Sequence, residues 1–209
     1  MGDIERTVHW LGHASFRLEL PSGAAVYLDP YQMRPAAKKA DVILITHAHS
    51  DHFSPADIAL ISKAGTRIFG PETLNGKLVG FTPLKPGDKA EAGGAVIDAV
   101  PAYNIGKSFH PIASGNLGYV VTAGDLRVYH AGDTDLIPEM EGLKADVALL
   151  PVGGTYTMDA VEACRAALAI KPRAAVPMHY GSVVGSNEDA IRFKNLCGAC
   201  EVLILPREA

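Results

Sequence analysis

The most constraining part of the chain is residues 41 to 52, where an apolar run, Asp41-Val-Ile-Leu-Ile45, leads directly into Thr46-His-Ala-His-Ser-Asp-His52. A short apolar run of this kind reads as a buried strand, so the imidazoles and the carboxylate emerge at its end. Three histidines and an aspartate within six positions are hard to explain as packing. Neutral imidazole and carboxylate are standard ligands for zinc and similar divalent ions. Crowded together without a cation, they would compete for few partners. Strand alternation sends His47 and His49 the same way, and Asp51 and His52 fall on the turn that opens the next helix. One pair can then grip one ion and the second pair another. The bland alternative is a polar loop that happens to be rich in histidine, and the two readings differ in whether the rest of the chain supplies further ligands.

At 209 residues, with 48% hydrophobic and 20% charged residues, the chain can bury a sizeable core as an ordinary globular protein. No apolar stretch approaches the ~20 residues of a membrane span. The start, Met1-Gly-Asp-Ile-Glu-Arg6, lacks a basic region followed by an apolar one, so the cytoplasm is the expected compartment. A net charge of -4 with scattered lysines and arginines offers no general attraction for nucleic acid. Three cysteines, Cys164, Cys197 and Cys200, make an odd count that does not suggest a disulfide framework. Cys197-Gly-Ala-Cys200 has no second pair and reads as structural thiol.

The first third is strand-rich. Residues 8 to 20, a turn at Pro21-Ser-Gly23, and Ala25-Val-Tyr-Leu28 form a hairpin leading into Asp29-Pro30. Ser54-Pro-Ala-Asp57 supplies an N-cap, a proline at the first helical position and an acid in the first turn, for a helix running to about Lys63 with Ile58 and Ile61 inward. Strands follow at 67 to 69, 95 to 100, 118 to 122 and 126 to 130. The connection from Pro101 to Asn116 is long enough to be functional and contains Asn104, Lys107 and His110. The last third alternates: strand 147 to 150, helix from about Met158 to Ile170 capped by Thr157 with Val161, Cys164 and Leu168 inward, strand 174 to 177, helix 187 to 196, strand 202 to 205. The sum is one α/β domain over residues 1 to 209, a four-layer α/β/β/α sandwich with two mixed sheets face to face and helices outside.

Further ligands should then appear at other strand ends, gathered at one edge. Tyr129-His-Ala-Gly-Asp133-Thr and Pro177-Met-His179-Tyr each place one just past a strand. Together with His47-x-His-x-Asp-His52, Trp10-Leu-Gly-His13 and Leu28-Asp-Pro30, these motifs resemble the metallo-β-lactamase superfamily over nearly the whole chain. The resemblance is to its metal-dependent hydrolases related to L-ascorbate 6-phosphate lactonase and to the phospholipase D acting on N-acyl phosphatidylethanolamine.

The resemblance implies His47 and His49 as ligands of a first ion, Asp51, His52 and His179 as ligands of a second, and Asp133 as the bridge. Relatives usually place a third first-site histidine where this chain has Ala102-Tyr-Asn104. Either His110, six positions on, takes that place, or the first site is weakened and one ion alone binds tightly. His13 is either close to the second ion or a core histidine. Asp29 orients a ligand histidine, and His130 has a supporting role. Asn104, Lys107 and Tyr180 are candidate donors to a developing oxyanion. The implied cofactor is one or two divalent ions, zinc first, with manganese, nickel or iron compatible. The implied chemistry is hydrolysis of an ester, lactone or phosphodiester of a small substrate by a metal-activated hydroxide, with Asp51 both ligand and catalytic carboxylate. Rival readings are a non-catalytic metal or ligand-binding protein with a decayed first site, and a nuclease or RNA-processing enzyme. The sequence leaves the oligomeric state open, a homo-oligomer included.

Overall fold

A computed structural model describes residues 2–208, so Met1 and Ala209 lie outside it. Helix α1 (Gly2–Thr7) leads into a six-stranded sheet whose strands follow chain order: β1 (Val8–Gly12), β2 (Ser15–Glu19), β3 (Ala25–Leu28), β4 (Val42–Leu44), β5 (Arg67–Pro71) and β6 (Thr82–Leu84). Helix α2 (Pro55–Ile61) lies between β4 and β5. The seven-stranded second sheet is also sequential: β7 (Lys89–Ala92), β8 (Ala95–Pro101), β9 (Leu117–Ala123), β10 (Leu126–His130), β11 (Val147–Pro151), β12 (Ala174–Met178) and β13 (Glu201–Val202). Helices α3 (Ala160–Ile170) and α4 (Asn187–Leu196) connect its last strands.

Both sheets repeat one plan: antiparallel strands first, then a parallel set beginning at β3 in one sheet and at β10 in the other. Residue-level patterning shows no repeat, because the two halves share topology without sharing side chains. Alternation explains the layering. Val26, Leu28, Val42 and Leu44 join residues of the second sheet in the main core, whereas Tyr27, Ile43 and Ile45 face the other way and pack with Ile58 and Ile61 of α2. The expected four layers are therefore present. Among the described residues, no helix is long and apolar enough to cross a membrane.

Several expectations shift. Helix α2 stops at Ile61, and only Glu201–Val202 of the last apolar run pairs as a strand. Helix α1 and strands β6 and β7 carried too little periodicity to be read. Helix α3 is capped not by Thr157 but by Asp159, whose side chain accepts from the Val161 and Glu162 amides while Glu162 reaches back to the Asp159 amide. Its buried face is also different: Ala160, Ala163, Ala166, Ala167 and Ile170 face inward, while Val161 and Leu168 are 41% and 55% exposed. The alanine face allows the helix to lie close to the sheet, and this outweighs the larger side chains' preference for burial. The cysteines are unpaired, with Cys197 buried.

Candidate metal centre

Parallel strands deliver their C-terminal ends to one rim of the sandwich, the position where layered α/β folds assemble sites. Asp29 follows β3, the His47 to His52 segment follows β4, Asp133 follows β10 and His179 follows β12. The rim is conformationally unusual. Six non-glycine residues among those described have left-handed backbone, and His13, Asp29, His110 and His179 are four of them. Such a conformation costs roughly 1–3 kcal/mol per residue, so the surrounding structure must hold it, and here it turns each chain sharply at the point where a side chain aims inward. Glycines make the close approaches. Gly132, at φ 64°, turns the chain into Asp133, and a Cβ there would lie 2.8 Å from the Leu117 carbonyl oxygen. A Cβ on Gly153 would lie 2.4 Å from the His179 carbonyl oxygen.

Two sets of donors result. His47, His49, His110 and Asp133 form one, and His13, Asp51, His52 and His179 form the other, each with donor atoms within 4.8 Å of one another. In the first set His49 Nδ1 lies 3.0 Å from both His47 Nε2 and His110 Nε2. Nitrogens bound to one tetrahedral zinc at ~2.0–2.1 Å lie a little over ~3 Å apart, so this spacing fits a shared cation. Asp133 stands between the sets. One of its carboxylate oxygens is 3.4 Å from His110 Nε2 and 3.2 Å from His179 Nε2, and the other is 3.2 Å from His52 Nε2. In the second set His13 Nε2 is 3.0 Å from Asp51, which is also 3.8 Å from His179 Nε2.

Surrounding groups decide which ring nitrogen faces inward. Asp29, fully buried, accepts from the Thr46 amide at 2.7 Å, the Thr46 hydroxyl at 2.6 Å and His52 Nδ1 at 2.7 Å. Because that hydroxyl donates to Asp29, it accepts from His47 Nδ1 at 2.9 Å, leaving His47 Nε2 as the inward lone pair. His110 Nδ1 faces the Tyr156 carbonyl at 3.3 Å, freeing its Nε2 in the same way. His52 Nε2, His179 Nε2 and one Asp133 oxygen are buried without a hydrogen-bond partner. Unpartnered buried atoms of ligand type converging where these residues meet fit a shared cation.

The electrostatics agree. Burial alone would neutralise His52, but the Asp133 and Asp29 carboxylates outweigh it and hold its pKa well above the ordinary histidine value. His47 moves the opposite way, lowered by burial and then by the His52 charge; burial also lowers His13 and His110. These three imidazoles are therefore neutral donors near neutral pH. Burial pushes Asp51 upward, yet the His13 hydrogen bond and the His52 charge bring it below the usual carboxylate range.

Other predicted residues take different places. Asn104 stands behind the donor cluster: its amide nitrogen donates to the Tyr156 carbonyl at 2.7 Å and lies 3.3 Å from His110 Nδ1, and its backbone amide donates to the His110 carbonyl at 2.9 Å. It closes the loop that presents His110. Lys107 is not free to meet an oxyanion, since its ammonium is bound by Asp135 and by the Thr157 carbonyl at 2.7 Å. Tyr180 also lies outside the cleft, stacked on Trp10 with ring centroids 5.1 Å apart, its pKa pushed up to about 12 by burial. His130 ties the sheets together, with Nε2 on the Ala14 carbonyl at 2.8 Å. Sequence reasoning missed Thr46 and Gly153. Thr46 had a signal, adjoining the histidine motif; Gly153 had none.

Gly153 offers a test that leaves every donor untouched. Gly153→Ala is expected to displace the His179 turn and weaken metal retention about tenfold or more, as other supporting residues do. Bound metal after dialysis measures this, with circular dichroism as the fold control, and wild-type retention would count against the turn's role.

A two-sheet sandwich with a histidine and aspartate cluster on the rim of its parallel strands is the architecture of the metallo-β-lactamase fold. A family model for the beta-lactamase superfamily domain matches residues 7–179. The chain is 35% identical to a UPF0173 metal-dependent hydrolase of Thermococcus onnurineus, over 95% of each sequence. A solved protein from Parabacteroides distasonis is 35% identical with a TM-score of 0.84, covering 97% of this chain and 93% of that one. Igni18, a metallo hydrolase from Ignicoccus hospitalis, is 28% identical with a TM-score of 0.78, covering 97% and 95%. The chain belongs to the beta-lactamase superfamily and, within it, to the UPF0173 metal-dependent hydrolases.

Proposed function

We propose that this chain hydrolyses an ester, lactone or phosphodiester bond of a small substrate with two divalent ions, zinc first among them, held by the two donor sets. The observation that carries the reading is Asp133, which touches both sets at once. His47, His49 and His110 would hold one ion, Asp51, His52 and His179 with His13 the other, and Asp133 would be shared. When bound, such ions acidify water and polarise the attacked oxygen. The chain's own residues do the rest. Asp29 and Thr46 fix the orientation of His52 and His47. Asp51, with 17% of its side chain exposed, is held ionised and can accept a hydrogen bond from the attacking water and hold it in line. His110, whose Nε2 lies 3.0 Å from His49 Nδ1, supports this reading over that of a decayed first site.

The direct test is metal content and turnover of phosphodiester and lactone panels for wild type, Asp51→Ala and His179→Ala. Both variants are expected to lose metal and at least about a hundredfold in activity. Undiminished activity in either would sink the assignment.

Proton linkage gives a second expectation. The raised His52 pKa contributes stability to the metal-free protein that is fully present below the unfolded value near ~6.5 and lost as pH rises through the folded value. A cation at Nε2 requires the neutral ring, so metal uptake should release protons and strengthen as pH rises. Calorimetry in buffers of different ionisation enthalpy measures the release, and uptake without it would contradict the role given to His52.

A further inference from the structure

The donor cluster opens into a cleft with two lobes that meet at His49, Phe109 and His110. The first, about 330 Å³, is lined beyond the histidines by Thr73, Lys77, Ser108, Ser114 and Asn116, with no carboxylate in its wall. Two of these groups lack partners. Lys77 makes no ion pair among the described residues. Asn116 is only 7% exposed, and its side-chain amide has no hydrogen bond among the described residues although it reaches the lobe. An amide of a largely buried residue that opens only partly into the lobe, beside an unpaired ammonium and several hydroxyls, makes a set of donors suited to an acceptor-rich group. The second lobe, about 250 Å³, contains Asp51, Asp133 and His179, and its wall beyond them and Ser50 carries the large side chains of Phe109, Tyr156 and Val183. Phe109 meets the Tyr156 ring edge-on at 4.7 Å, and Phe109 and Val183 are 46% and 52% exposed.

We infer that the substrate carries an oxyanion, a carboxylate or a phosphate monoester, bound in the Lys77 and Asn116 lobe, and an apolar group lying against Phe109, Tyr156 and Val183, with the scissile bond between them over the donor cluster. The inference rests on the hydrolase reading for its geometry, but the lobes are open to a binding test that needs no turnover. A carboxylate facing the first lobe would meet Lys77 and no opposing charge; the second lobe, beyond the residues that would hold the ions, offers no lysine or arginine. The lobes thus orient an anionic substrate in one direction.

The experiment measures calorimetric affinities of phenylacetate, benzylphosphonate and neutral phenylacetamide for the full-length, metal-loaded protein. Lys77→Ala and Asn116→Ala are each expected to lower the anion-to-amide affinity ratio about five- to tenfold, and Lys77→Glu further. A drop for the phosphonate alone assigns the lobe to phosphate, and a drop for the carboxylate alone assigns it to carboxylate. Val183→Asp should weaken phenyl-bearing ligands relative to methylphosphonate. Ratios unchanged in both Lys77→Ala and Asn116→Ala overturn the inference. Whether turnover requires metal is read separately, so the hydrolase reading and the anion lobe can each fail alone.

Discussion

Asp133→Ala is expected to empty the metal centre and reduce kcat/KM on the order of a thousandfold or more. The carboxylate is 3% exposed and lies within 3.4 Å of inward nitrogens on His52, His110 and His179, so no other side chain can substitute for it. Burial alone would raise its pKa, but the His179 and His52 imidazoles overcome that and hold it well below the carboxylate range. The buried negative charge that touches both donor sets therefore disappears in the variant. Breaking a buried charged set by removing one partner costs about 3–5 kcal/mol, which is the origin of the thousandfold figure. Atomic emission on dialysed protein and turnover on the responsive substrate check it together. Asp133→Asn keeps the shape and removes the charge, so it separates metal loss from misfolding. Metal retained at wild-type level in Asp133→Asn would refute the sharing role.

The second large effect concerns a residue that touches no proposed substrate. Asp29→Ala should destabilise the protein by about 3–5 kcal/mol and weaken metal binding 10- to 100-fold. Its carboxylate holds the Thr46 amide, the Thr46 hydroxyl and His52 Nδ1, all buried, and its loss strands every one of them. It also releases His47, whose ring is oriented through the Thr46 hydroxyl. Denaturant midpoints of the metal-free variants measure the first effect, and competition against a chelator of known affinity measures the second. A normal midpoint together with normal affinity would show that Asp29 is dispensable. Asp29→Asn, which can still accept from Thr46 but does not reproduce the charge near His52, should fall between.

Much of this was legible because it depends on local rules. The strand before His47, the cap and proline of α2, and the turn at Gly132 each follow from a few adjacent residues. The layer order followed from alternation, with Val42 and Leu44 facing the core and Ile43 and Ile45 facing the helix. The inward face of α3 was misread because hydrophobicity favoured Val161 and Leu168, whereas close packing favoured the alanines. For Asn104 the sequence leaves open whether it meets a substrate or supports a ligand; only the tertiary structure brings its side chain to His110 and the Tyr156 carbonyl.

What the sequence determined by itself is the inventory: eight histidines and aspartates of ligand type, all but His110 standing in turns just past strands, and a two-sheet fold able to bring strand ends to one rim. The tertiary structure decided the grouping. His110 joins His47 and His49, His13 joins Asp51, and Asp133 stands between the two sets. The physical reason is that these partners lie on different sheets or on opposite ends of loops, at separations of up to 166 positions between His13 and His179. Strand register, left-handed turns and the close approach at Gly153 fix such distances to a fraction of an ångström, and none of these is written in the spacing of residues along the chain.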